Sequence, residues 1–376
     1  MKYKLSDICT FTDERIVVTD LDLNNYISTE NMLQNKEGVI RSARLPTVNQ
    51  IQAYQPGDVL ISNIRPYFKK IWYADRSGGC SNDILILRAK ENTYPGFLYY
   101  LLSDNAFFNY ATATAKGTKM PRGDKDAIMK YEVPNLPIGI QIKIADILSA
   151  LDAQISNNKA INNHLEQIAQ AIFKSWFVDN ASNNWKSVKL GTVIQEIRTK
   201  VKNQYLPVLS AVRTGNLVLS EEFFTKQVYS KDIGRYIVVE PNDFAYNPAR
   251  VNIGSIGINT FGFAGCVSPV YIVFRSEPEY HNFFRFFLKL PNFQEELRIR
   301  ASGSVRQSLS YDNFALIQIS YPPIDFVRKF NCYYTDIQTT LGQLKLETAC
   351  LAAIRDTLLP RLMSGKLSVT DLEDAK

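Results

Sequence analysis

Histidine is nearly absent from this chain: 376 residues contain two, His164 and His281, and neither sits in an HExxH or paired arrangement. Zinc sites and general-base chemistry built on imidazole are thereby all but excluded. Cysteine is scarce and odd in number (Cys9, Cys80, Cys266, Cys332, Cys350), and no two are spaced as CxxC. A disulfide framework or a cysteine-rich metal site is not expected. No run of eighteen uncharged apolar residues occurs, and the opening Met1-Lys2-Tyr3-Lys4 lacks the apolar core of a signal peptide. A cytoplasmic protein with no membrane attachment is the expectation. P-loop, GxGxxG and GxSxG signatures are all missing, so no resident cofactor and no catalytic residue are assigned. Asn247-Pro248-Ala249-Arg250 invites comparison with the Asn-Pro-Pro-aromatic motif of amino-group DNA methyltransferases. Ala249 and Arg250 replace the second proline and the stacking aromatic, and no glycine-rich cofactor loop precedes them.

What the chain does have is apolar bulk and an internal repeat. Apolar residues make up 45% and aromatics 12%, with a net charge of +6. That suffices for two or three packed domains and permits a polyanionic partner. Lys4-Leu5-Ser6-Asp7-Ile8 corresponds to Lys189-Leu190-Gly191-Thr192-Val193, and Pro56-Gly57-Asp58-Val59 to Pro241-Asn242-Asp243-Phe244. Gly79-Cys80 matches Gly265-Cys266, Gly117-Thr118 matches Gly303-Ser304, Asp126 matches Asp312, and Pro137 matches Pro323. Every offset is 185 or 186, whereas chance matches would scatter.

Each copy opens with a globular part of α+β character. Residues 58–62 and 83–87 read as strands, 75–79 as a turn, and 96–109 as one helix with its counterpart at 282–297. A long helix follows, begun by Pro137 or Pro323. In the first helix the seam runs Ile144, Leu148, Leu151, Ile155, Asn158, Asn162, Leu165, Ala169, Ile172, Trp176. In the second it runs Phe330, Tyr334, Ile337, Leu341, Leu344, Thr348, Leu351, Arg355, Leu358, Leu362. Steps of four and three are the heptad rule, and the matched registers make each helix the other's natural partner. The expected fold is α+β: two similar globular domains separated by two long antiparallel coiled-coil helices. The first seam spans roughly 50 Å at the α-helical rise. Polar Asn158, Asn162, Thr348 and Arg355 are expected to set register or to face a partner.

Two similar heads suit a ligand with two related patches at fixed spacing, and double-stranded DNA, with a helical repeat of about 34–36 Å, is such a ligand. Cations cluster where loops are expected. The first copy offers Arg41, Arg44, Arg65, Lys69 and Lys70, then Lys116, Lys119, Arg122 and Lys125 around Gly117 and Thr118. The second offers Arg213, Arg235 and Arg250 after Asn247-Pro248-Ala249, then Arg298, Arg300 and Arg306 around Gly303 and its neighbour Ser304. Such residues could neutralise phosphates, and the glycine–hydroxyl pairs would let amides approach one. They would equally serve as solvated loops of any basic protein. A stand-alone or regulatory DNA-binding protein and a non-catalytic protein-binding scaffold both remain open at this point.

In this order the fragments resemble the specificity subunit of type I restriction-modification enzymes. They include Lys4-Leu5-Ser6-Asp7-Ile8, Pro56-Gly57-Asp58-Val59-Leu60 and Pro95-Gly96-Phe97-Leu98-Tyr99-Tyr100-Leu101-Leu102. Pro137-Ile138-Gly139-Ile140-Gln141, Ile172-Phe173-Lys174-Ser175-Trp176-Phe177 and the closing Leu358-Leu359-Pro360-Arg361-Leu362-Met363-Ser364-Gly365-Lys366-Leu367 complete the set. The resemblance implies target-recognition domains at 1–137 and 185–322, each reading half of an asymmetric bipartite site. It implies spacer helices at 138–180 and 324–365, followed by a tail at 366–376. It further implies docking of two methylation subunits and, in the full complex, restriction subunits. S-adenosylmethionine, ATP and Mg would reside on those partners, leaving this chain non-catalytic. The second copy departs from the pattern at Pro322-Pro323-Ile324-Asp325-Phe326-Val327-Arg328 and by Pro360, which should kink or end its helix.

Overall fold

The computed structural model describes residues 2–182, 184–224, 229–301 and 308–369. The chain divides into two compact units, one made of 1–160 with 344–376 and the other of 161–343. Each is built on a four-stranded antiparallel sheet. In the first unit the order is Cys9–Phe11, Ile84–Ala89, Val59–Ser62, Ile71–Tyr73. In the second it is Ile194–Ile197, Ile272–Ser276, Phe244–Tyr246, Ile256–Ile258. Strand for strand, the two sheets correspond.

The central strands read as unbroken apolar runs because both of their faces are buried. Period-two alternation then divides the side chains between two cores. Val59, Ile61, Leu85 and Leu87 pack with Phe97, Leu98, Leu101 and Phe108 on one face. Leu60, Ile84 and Ile86 pack with Tyr54, Trp72 and Cys80 on the other. In the second unit Phe244, Tyr246 and Phe274 face Phe283, Phe284 and Leu297, while Ala245 and Val273 face Leu209, Val239 and Val267. The second layer is where the copies diverge. It is one four-stranded sheet in the first unit (Arg15–Val17, Gln50–Tyr54, Gly78–Cys80, Tyr26–Ile27). In the second unit two separate ladders replace it, Leu209–Ala211 with Leu217–Leu219 and Ile237–Val239 with Gly265–Val267.

Two local expectations are corrected. Gly78 and Gly79 lie in a strand, not in a turn; the bend ends before them. A Cβ on Gly78 would meet the Asn25 carbonyl at 2.2 Å, and one on Gly79 would meet Ile51 at 2.6 Å. Gly265 repeats this, 2.5 Å from Leu209, so the paired glycines serve close packing between layers. The single helix expected at 96–109 is two, Pro95–Ser103 and Asn105–Ala113. Asp104 is extended between them and caps the second by accepting the Ala106 amide at 2.9 Å. Its counterpart is likewise divided, into His281–Phe287 and Pro291–Arg300. Pro291 lacks the amide that would continue the first piece.

The long helices run Ile138–Lys174 and Ile324–Met363, the first ending in a π turn, Ser175–Asp179. Pro360 lies in the last turn of the second, which stops three residues later. Each unit takes one half of each helix. Within the first unit, Ile144 and Leu148 share a core with Leu359, Leu362 and Met363. Within the second, Phe173 meets Phe330 edge to face (ring centres 5.6 Å apart) and Phe177 likewise meets Phe326 (5.5 Å), so numbers rise on one helix as they fall on the other. The pairing is antiparallel. Of the seam, Ile144, Leu148, Ile155, Asn158, Ala169, Phe330, Tyr334, Leu341 and Leu362 are buried. Leu151, Asn162, Leu165, Ile172, Trp176, Ile337, Leu344, Thr348, Leu351, Arg355 and Leu358 are half-buried.

Candidate nucleic-acid interface

The turn that leads into each central strand, at the opposite end from the candidate cations, is anchored to the sheet by a device present in both units. Asp58 and Asp243 are each 1% exposed. Asp58 accepts the Gln55 amide and a two-pronged Arg88 guanidinium at 2.7 and 2.8 Å. Asp243 accepts the Glu240 amide and Arg275 at 2.6 and 2.9 Å. A buried carboxylate needs this much compensation, and the planar arginine fork supplies it. The residue before each aspartate is left-handed, Gly57 at φ +91° and Asn242 at φ +68°. Asparagine tolerates that region best after glycine, which is why the repeat breaks there without changing shape.

Beyond the Val59–Ser62 strand, the chain turns through Pro66–Phe68 between left-handed Arg65 and Lys69. This turn is stitched to residues 116–123. Arg65 donates its amide to the Pro121 carbonyl (2.8 Å), and Gly123 donates to Asn63 (3.0 Å). Lys116 and Arg122 exchange both backbone bonds and close the tip. Within that tip Gly117 has φ +98°, and the amides of 117–120 donate to no group among the described residues. Lys116, Gly117, Thr118, Lys119 and Arg122 are all exposed or nearly so. The structure therefore brings Arg65, Lys69 and Lys70 together with the 116–122 tip.

The cations differ in how far they are engaged. Lys70 donates to the Thr29 carbonyl (2.6 Å), and burial lowers its pKa. Lys69 bonds Asn105 (2.9 Å), and Arg65 lies over the Phe68 ring. Lys116 pairs with Asp124 (2.6 Å), Arg122 with Asp83 (3.0 Å) and Arg44 with Glu30 (3.4 Å). Arg41 and Lys119 are exposed and make no ion pair among the described residues. Exposed pairs are worth little and exchange readily for a phosphate.

In the second unit Leu309 donates to the Pro248 carbonyl (3.2 Å), the equivalent of the Gly123–Asn63 tie. Gly303, Ser304 and Arg306 lie outside the described residues. Arg250 is exposed beside Asn247, whose side chain accepts the Ala249 amide in a local turn (3.1 Å). Arg213 lines a cavity with Arg285, Lys289 and Arg298. No sequence pattern marks the Asp–Arg forks, Arg285 or Lys289 for a role. Asp58 and Asp243 stand in the repeat, but their partners lie 30 and 32 residues away on a neighbouring strand.

Among the described residues no group of three or more His, Cys, Asp or Glu is placed to hold a metal. Burial pushes the Cys9 thiol up to about 12 and Cys266 up to about 11, so both stay protonated and unreactive. No described helix is long and apolar enough to cross a membrane.

Residues 1–167 match the family described as the type I restriction modification DNA specificity domain. The specificity subunit of the type I restriction enzyme MjaIX from Methanocaldococcus jannaschii is 23% identical over 320 residues, covering 75% of this chain and 71% of that one. The HindI specificity subunit of Haemophilus influenzae is 32% identical over 196 residues, covering 47% of this chain and 40% of that one. The fold is shared with the S subunit of the type I restriction-modification system from M. genitalium (TM-score 0.59, 17% identity, 96% of both chains). A chain from another type I restriction-modification assembly aligns over 98% of both chains (TM-score 0.50, 18% identity). Residues 1–167 thus match the type I restriction modification DNA specificity domain, the chain is similar to type I specificity subunits, and its fold is shared with a solved S subunit.

Proposed function

We propose that the protein is the DNA-recognition subunit of a cytoplasmic type I restriction-modification complex, itself non-catalytic, directing adenine methylation and ATP-dependent restriction by partner subunits. Residues 1–137 and 185–322 are the two target-recognition domains, each reading one half of an asymmetric bipartite site. The helices at 138–180 and 324–365 are the spacer to which two methylation subunits dock, with restriction subunits joining in the full complex. S-adenosylmethionine, ATP and Mg belong to those partners.

The observation that carries the reading is the duplicated frame: one sheet order and one buried Asp–Arg fork, built twice, with different loops mounted on it. A shared frame with divergent loops is what reading two unlike half-sites requires. Arg41, Arg44, Arg65, Lys69, Lys70, Lys116, Gly117, Thr118, Lys119 and Arg122 form the footprint of the first domain. Arg213, Arg250, Gly303, Ser304 and Arg306 belong to that of the second. The test is methylation mapping with this chain and its methylation subunit expressed together, repeated after exchanging 185–322 for the same domain of a relative. One half-site should change while the other persists. Methylation that ignores the exchange refutes the assignment.

A further inference from the structure

The second unit contains a cavity of about 260 Å³ whose charged lining is entirely cationic: Arg213, Arg285, Lys289 and Arg298, with no aspartate or glutamate. Arginines elsewhere are commonly matched; Arg88, Arg122, Arg275 and Arg355 each hold a carboxylate. Here only Arg298 does, pairing with Glu295 at 2.8 Å. Arg213, Arg285 and Lys289 have no carboxylate partner among the described residues. Arg285 is half-buried and lies 5.8 Å from the centre of the Tyr334 ring, which fixes its position without neutralising it. Lys289 is exposed, but desolvation by the surrounding protein and the neighbouring Arg285 charge still lower its pKa, and Glu166 opposes this only as the smallest influence.

The backbone is shaped for the arrangement. Gly215 and Gly254 are left-handed at φ +78° and +89°. The end of the Lys289 side chain crosses over Gly215, with its Cε 2.3 Å from where a Cβ would stand, and the left-handed backbone there is what calls for glycine. At the repeat offset of 186, the first copy has Tyr99, Ser103 and Thr112 where the second has Arg285, Lys289 and Arg298. The cations are thus not part of the common frame. Arg213, Lys289 and Arg298 stand exposed around the opening and Arg285 lies half-buried; like charges gathered this closely repel unless an anion joins them, and guanidinium and ammonium groups around one cavity suit a phosphate.

We propose that this cavity is a phosphate site, and that it seats a backbone phosphate of duplex DNA on the second recognition domain alone. The proposal rests on the DNA-recognition reading above and adds a site to it. It is tested with the full chain assembled with its methylation subunit, titrated by fluorescence anisotropy against its mapped duplex and an unrelated one at several salt concentrations. Arg285→Gln with Lys289→Gln should weaken both duplexes by the same factor. The slope of log K against log salt should become shallower by about 0.9 for each phosphate no longer neutralised. Arg285→Lys with Lys289→Arg should restore the slope. If the double neutral variant loses its wild-type circular dichroism, the exposed single variant Lys289→Gln carries the test. A neutral variant with wild-type affinity and slope, in a complex that still binds its duplex, overturns the cavity and leaves the recognition reading standing. Thermal unfolding of the full chain with added pyrophosphate separates the sources. Pyrophosphate that stabilises the wild type but not the variant, with duplex affinity unchanged, assigns the cavity to a free oxyanion and overturns the proposal. A wild-type complex that binds no duplex at any salt removes the recognition reading and this site with it.

Discussion

Asp152, on the first long helix, joins three elements of the first unit through one carboxylate. Its Oδ2 accepts the Tyr100 hydroxyl at 2.8 Å, and its Oδ1 accepts Arg355 of the second long helix at 2.7 Å. The side chains of Arg355 and Asp152 are 27% and 31% exposed, so the pair is neither dry nor freely solvated. A hydrogen bond to a charged group contributes about 1.5–3 kcal/mol, and solvent screening reduces that here. Asp152→Ala removes both bonds and leaves the Tyr100 hydroxyl without its acceptor, while Arg355 keeps Asp356 at 2.8 Å. The expected cost is about 2 kcal/mol, with about 1 kcal/mol for Asp152→Asn, which retains an acceptor for Tyr100. For a unit of this size that lowers the melting midpoint by roughly 4–8 °C for the alanine variant. Urea unfolding of the full chain, followed at Trp72 in the same unit, measures it. A double-mutant cycle with Arg355→Met isolates the pair, which should couple by about 1 kcal/mol. Additivity within about 0.3 kcal/mol would show that the helix halves do not depend on this carboxylate.

The same site predicts a pH effect. Burial and the Asp152 charge raise the Tyr100 pKa in the folded state, so its contribution is complete below about pH 10 and is lost as pH rises beyond. Tyr100→Phe should lose less stability than wild type in alkaline melts, and an unchanged profile refutes the linkage. Leu148, 0% exposed in the first-unit core, should cost at least about 3 kcal/mol as Leu148→Asp and disrupt assembly with methylation subunits before altering half-site preference. Wild-type melting would be the contrary result. Gly57→Ala, at φ +91°, should cost about 1–2 kcal/mol, whereas Asn242→Gly should be near neutral; equal effects in urea unfolding would refute the turn argument. Lys119→Ala should weaken all duplexes alike and flatten the salt dependence of binding, and an unaltered slope removes Lys119 from the footprint.

The repeat and the seam were legible because both are periodic. Heptad steps depend only on which residues are apolar, and a constant offset survives wherever each copy must keep the same glycine or proline. The break at 104 was not legible. Pro95–Ser103 and Asn105–Ala113 are apolar enough to read as one helix, and only the capping geometry of Asp104 divides them. Gly78 and Gly79 misled for a related reason. Glycine marks a turn when φ must be positive and marks a strand when another layer approaches closely, and the residue type does not distinguish these. The Asp–Arg forks depend on pairing between strands far apart in sequence. The cavity around Arg285 needs four residues from three separate segments, and no spacing rule connects them.

The division of each helix between two units bears on how the chain folds. Residues 161–343 are contiguous and carry every element of the second unit, whereas the first unit requires 1–160 and 344–376 together. Ile144 and Leu148 bury against Leu359, Leu362 and Met363, so the first core stays open until the second long helix is complete. Loop closure grows only slowly more costly with length, so this is tolerable thermodynamically, but it orders the events. The second unit can condense first, and the first unit is the last to close. Neither copy of the repeat is a folding unit by itself: a fragment ending at 180 lacks the apolar stripe that covers Ile144 and Leu148. Duplication has made the two halves of the sequence structurally interdependent while the loops on the two sheets diverge.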